Sequence, residues 1–184
     1  MGLSVAARAA LRGGLPTERI DRLTDPAYTS ALGSRSIDDV RMMKAECGQF
    51  EHALSYYRRL AQARIEILEA EQSRRERGGT VEELVAQLPR ILSSDAGRSS
   101  AATARMANAD APAIELHWPD GRERLVADTT LAQLPVLTPD ELESTLSELR
   151  RFERELSDLR QQLHGVLDVL EREIAARQVA GTAG

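Results

Sequence analysis

Cysteine, lysine and aromatic residues are nearly missing from this chain. Cys47 stands alone among 184 residues, which excludes an intramolecular disulfide and a cysteine-rich metal site. Its place on an apolar seam fits a packed thiol. Aromatics make up 3% of the residues, while Leu, Ala, Glu and Arg dominate, which is the composition of long amphipathic helices rather than of a β-sandwich. No apolar run approaches the about 18–20 residues of a membrane span, and the N-terminus carries no apolar core of signal-peptide length. The expected location is therefore cytoplasmic, with no membrane. Lys44 is the only lysine, so positive charge is almost all arginine, as GC-rich coding produces. The formal net charge of −5 argues against direct DNA binding, which needs a basic stripe to displace counterions. A basic protein partner suits it better. No Gly-rich phosphate loop, nucleophile elbow or metal-ligand cluster is present, so neither an enzyme nor a metal is expected.

What the chain does have is helix signals in two long blocks. Ser36 reads as an N-cap with Asp39 at capping-box distance, and Val40, Met43, Cys47, Phe50, Leu54, Tyr57, Ala61, Ile65 and Leu68 follow at 3-4 spacing. Gly78 and Gly79 close that block. The second start has Thr138 as N-cap, Pro139 at the first helical position and Glu141 completing the box. Leu142, Leu149, Leu156, Leu163 and Leu170 then recur every seven residues, with Leu146, Phe152, Leu159, Val166 and Ile174 filling the seam. Each block predicts a helix of about forty residues, roughly 60 Å long. The reading is all-α: a long antiparallel coiled-coil hairpin. Its parts are a mobile N-terminal arm (1–35), a first long helix (36–78), a short helix (80–92) and a flexible linker (93–112). Residues 113–137 are compatible with a small β-hairpin and connection, because Ile114, Leu116 and Trp118 alternate with polar residues ahead of a Pro119–Gly121 turn. A second long helix (138–178) and a disordered tail (179–184) complete it.

Both long blocks repeat one polar pattern, E-x3-S-x2-R-x3-Q/H-x3-D/E. It comprises Glu51, Ser55, Arg58, Gln62 and Glu66, and again Glu153, Ser157, Arg160, His164 and Asp168, each 102 residues after its counterpart. The offset also pairs Phe50 with Phe152, Leu54 with Leu156, Leu68 with Leu170 and Glu46 with Glu148. At about 100° per residue the five side chains of a copy fall on one ribbon flanking the seam, partly wet. Any solvated helix face contains such residues, and at this spacing they also make ordinary ion pairs. Their recurrence in one register points instead to a partner or ligand with two-fold character. The residue types suit guanine nucleotides: Arg forks onto the O6 and N7 acceptors, a carboxylate accepts from the N1 and N2 donors, and Arg also neutralises phosphate.

With these two motifs the chain resembles the RsiG-type anti-sigma factors of actinobacteria, whose helices carry E-x3-S-x2-R-x3-Q-x3-D. The resemblance implies binding of cyclic di-GMP, as a dimer, by the ten motif residues. It further implies ligand-dependent capture of a WhiG-type sporulation sigma factor, a relative of flagellar sigma factors, with repression of sporulation transcription. Two positions depart from the family pattern: Glu66 replaces Asp and keeps the charge, and His164 replaces Gln, exchanging an amide for an imidazole. The competing expectation is a structural or self-associating coiled-coil scaffold with no nucleotide ligand.

Overall fold

The computed structural model describes residues 16–86, 112–127 and 133–182. All their regular structure is helical. Helix α1 spans Pro16–Thr24, α2 Ile37–Arg77 and α4 Pro139–Thr182. Residues 81–86 form the described part of α3. Short 3₁₀ turns cover Pro26–Thr29, Leu32–Ser34, Arg122–Val126 and Leu134–Val136. The expected flexible linker of 93–112 lies outside the described residues except for Pro112, as do the first 15 residues of the expected arm and residues 87–92 of the expected short helix.

Both long helices begin where reciprocal capping boxes put them. Ser36 Oγ accepts from Asp39 N at 3.1 Å while Asp39 Oδ2 accepts from Ser36 N at 3.2 Å. Thr138 Oγ1 likewise accepts from Glu141 N at 3.3 Å, and Glu141 Oε2 from Thr138 N at 2.8 Å. These bonds satisfy amides that a helix start otherwise leaves orphaned. Hydrogen bonds from the Ser36 hydroxyl and amide to Asp39, and from the Thr138 amide and hydroxyl to Glu141, hold both carboxyls below the usual carboxylate range. Helix α2 ends at Gly78, whose φ of 68° lies in the left-handed region, with Gly79 N donating to Arg74 O at 2.9 Å.

The described residues form two compact units, each drawing on both long helices. The first comprises 16–55, 112–118 and 157–182. Ile20, Leu23, Val40, Cys47, Phe50, Leu54, Leu116, Leu163 and Leu170 form its core. Within it, Lys44 Nζ lies 2.8 Å from Glu171, and Arg177 donates to Leu32 O and Arg35 O at 2.6 and 2.7 Å. The second unit comprises 56–86, 119–127 and 133–156. Ala61, Ile67, Leu68, Leu142, Leu146, Leu149, Phe152 and Leu156 form its core. Here Arg150 Nη2 lies 2.7 Å from Glu69, and Arg75 donates to Leu137 O and Leu134 O at 2.6 and 2.9 Å. In each unit higher numbers on α2 meet lower numbers on α4, so the two helices pack antiparallel.

Four expectations need correction. Residues 16–35 are no arm: α1 and two 3₁₀ turns bury Ile20, Leu23 and Leu32. No strand forms among the described residues, so the hairpin expected in 113–137 is not made. Its alternating segment buries Leu116 and Trp118 without a strand partner, and the Leu125–Val126 side belongs to a 3₁₀ turn entered through Gly121 at φ 69°. Helix α4 continues to Thr182, into the expected tail. Beyond Ala61 the α2 seam shifts: Arg64 and Ile67 are buried while Ile65 is half-buried.

Candidate functional site

The ten motif side chains sit where a helix-flanking ribbon puts them. All five of the first copy and Glu153, Ser157 and Arg160 of the second are half-buried, and His164 and Asp168 are exposed. The structure then makes a connection that periodicity does not contain: the glutamate of each copy is held by the arginine of the other. In the first unit Glu51 Oε1 accepts from Ser55 Oγ at 2.8 Å and lies 3.2 Å from His164 Nε2 and 3.7 Å from Arg160 Nη1. In the second unit Glu153 Oε1 accepts from Arg58 Nη1 at 3.3 Å and from Gln62 Nε2 at 3.1 Å. The two clusters are the same arrangement with the copies exchanged: one carboxylate, the opposite arginine, and the side chain four residues after that arginine.

Both arginines retain donor capacity. The Nε atoms of Arg58 and Arg160 are buried and make no hydrogen bond, which costs free energy unless another acceptor meets them. A guanidinium offers five donors in a fixed fork. Here the Nη1 atoms face the glutamates. The clusters bring together Glu51, Ser55, Arg160 and His164 on one side and Arg58, Gln62 and Glu153 on the other. For Glu66, Ser157 and Asp168 the helix register places them on the same ribbons, and Asp168 contributes its carbonyl to Arg172 Nε at 3.1 Å.

The 102-residue offset reaches further than the motif. Arg75 Nε donates to Glu71 Oε1 at 2.6 Å and Arg177 Nε to Glu173 Oε1 at 2.7 Å. Their carbonyl acceptors, Leu134 and Leu137 against Leu32 and Arg35, differ by the same 102. An arginine also caps each equivalent phenylalanine: Arg19 lies 5.3 Å from the Phe50 ring centre and Arg122 lies 5.9 Å from that of Phe152. Glu71, Arg75, Glu173 and Arg177 were missed in the sequence, although the offset marks them.

The other chemically distinctive side chains lie elsewhere. Burial pushes the Cys47 thiol up to about 11, so it packs and is not a thiolate at neutral pH. An open cleft of about 690 Å³ beside α1 is lined by Arg22, Tyr28, Arg35, Met43 and Glu46 among others, and contains no motif residue. Among the described residues there is no group of three or more His, Cys, Asp or Glu able to hold a metal, and no helix long and apolar enough to cross a membrane.

Comparison with known families decides the lineage. Residues 26–92 and 128–184, which include both motif copies, match the family described as RsiG-like. The chain belongs to the RsiG-like family. No curated protein and no solved structure matches it. Membership suggests an anti-sigma-factor-like role. The matched ranges do not include residues 93–127, the stretch that bears Trp118 and Arg122.

Proposed function

We propose that this protein is a cytoplasmic anti-sigma factor that binds cyclic di-GMP through Glu51, Ser55, Arg58, Gln62, Glu66, Glu153, Ser157, Arg160, His164 and Asp168. With the nucleotide bound it captures a WhiG/flagellar-type sigma factor and represses sporulation transcription. It acts by binding, without catalysis or a metal. The observation that carries this reading is the exchange of partners between the two motif copies, Glu51 with Arg160 and Glu153 with Arg58, within an RsiG-like chain. Such an exchange offers equivalent donor sets in duplicate, which suits a ligand with two guanines and two phosphates. The orphaned Nε of each arginine supplies a donor for guanine O6 or N7 or for a phosphate oxygen. The carboxylates supply acceptors for guanine N1 and N2. Because nucleotide and sigma factor are linked through one complex, each tightens the binding of the other by the same factor.

Calorimetric titration of cyclic di-GMP, with and without the sigma factor, tests the proposal. Uptake strengthened by the sigma factor is expected, with Arg58→Ala and Arg160→Ala each abolishing it at unchanged helical content. Titrations without heat under both conditions would leave a coiled-coil scaffold whose charged face is repeated for packing.

A further inference from the structure

We infer that His164 makes nucleotide capture dependent on pH through one motif copy alone, the second, while the first copy binds independently of pH. This rests on the nucleotide-binding reading above and adds a form of regulation to it.

The two clusters form an internal control. In the second unit, Gln62 Nε2 donates one hydrogen to Glu153, and the amide keeps a second N–H and its carbonyl oxygen for a ligand. In the first unit, His164 Nε2 lies 3.2 Å from Glu51 Oε1. Arg160 Nη1 lies 3.5 Å from the same nitrogen, so Nε2 accepts from Arg160 when the ring hydrogen is on Nδ1 and donates to Glu51 when it is on Nε2. In either tautomer the neutral ring carries a single N–H and cannot donate to Glu51 and to a ligand at once. Towards a ligand of acceptors, such as a phosphodiester or the O6 and N7 edge of guanine, neutral His164 is therefore a poorer partner than Gln62. Charging the ring makes donors of both nitrogens, one for Glu51 and one for the ligand, now with a positive charge.

Facing His164 are Glu51 from α2 and, one helical turn to either side on α4, Arg160 and Asp168; the next pair along, Lys44 with Glu171, is already neutralised. One cation thus stands there against two carboxylates. The phosphates of a bound nucleotide add further negative charge. In the other cluster the corresponding side chain, Gln62, is an amide with no proton to gain in this range. The ring is half exposed, so protons reach it freely and solvent moderates the effect.

The test is cyclic di-GMP affinity of the full chain between about pH 8 and about pH 6, spanning the range in which an imidazole changes charge. Binding is expected to tighten about fivefold to tenfold on acidification, as one added charge-assisted hydrogen bond at a half-exposed site provides. Calorimetry in buffers of different ionisation enthalpy should show proton uptake on binding near neutral pH. His164→Gln, which retains His52 and His117, should lose both the slope and the uptake. The double change Gln62→His with His164→Gln should restore both from the other copy. A flat profile in the parent, or a slope that survives His164→Gln, overturns the inference and leaves the proposed function standing. Failure of the parent chain to bind cyclic di-GMP at any pH overturns both.

Discussion

Residues 32–77 and residues 134–179 carry the same devices in the same order: a 3₁₀ turn, a capping box, a phenylalanine under an arginine, the five-residue motif, and a glutamate–arginine pair reaching back to the turn before the other helix. The two stretches are identical at only 12 of 46 aligned positions, so what repeats is the set of devices, and three kinds of difference bear on it. Cys47 and Ala61 stand where the second copy has Leu149 and Leu163, so α2 brings small seam residues and α4 large ones, an alternation that fills space between helices. Arg74 stands where the second copy has Ala176, so Glu71 has two guanidinium partners and is 3% exposed, whereas Glu173 has one and its side chain is 30% exposed. Gln62 stands where the second copy has His164. The devices are therefore repeated on an otherwise divergent sequence, and these three differences concern packing volume, one buried charge and one ligand position.

The largest effect that would test this equivalence comes from the two phenylalanines, both 0% exposed. Phe50→Ala and Phe152→Ala should each cost about 3–5 kcal/mol in urea unfolding, and a clear inequality between them would break the equivalence of the two framework copies. Glu71 and Glu173 should differ instead. Glu71→Gln should cost about 1–3 kcal/mol because it unpairs buried donors, while Glu173→Gln should stay below about 1 kcal/mol at its wetter site. The hydrogen bond from Arg74 holds the Glu71 carboxyl below the usual carboxylate range. Its contribution is thus complete above that range and disappears as pH falls through the lowered value. Acid titration of stability should accordingly be shallower in Glu71→Gln. The smallest effect, about 1 kcal/mol each, is expected for Ser36→Ala and Thr138→Ala, since both caps make the same reciprocal bonds. Equal losses in thermal unfolding would sharpen the equivalence at the helix starts.

Much of this was legible before folding. Capping boxes announce themselves by residue type at fixed spacing, and Ser36 with Asp39 and Thr138 with Glu141 form as written. The leucine repeat of α4 is likewise plain, and so is the polar ribbon, because helical angles depend on spacing alone. Which glutamate meets which arginine was not legible: that depends on the stagger of two antiparallel helices, which no single stretch of sequence encodes. The clamps of Arg75 and Arg177 escaped notice because their acceptors are backbone carbonyls, which carry no side-chain signature. The segment around Leu116 and Trp118 misled because alternation reports one buried face, and a segment with no strand partner can bury alternate side chains as well as a strand does.

The clamp at Arg177 alters what a helix end means in this molecule. Fraying ordinarily belongs to one terminus alone, since its last carbonyls and amides answer only to solvent. Here the closing turns of α4 hold Leu32 O and Arg35 O, immediately ahead of the cap that starts α2. To unwind α4 as far as Arg177 is also to release the entrance to α2, so a protease seeking a loose terminus meets the combined resistance of two elements far apart in the chain.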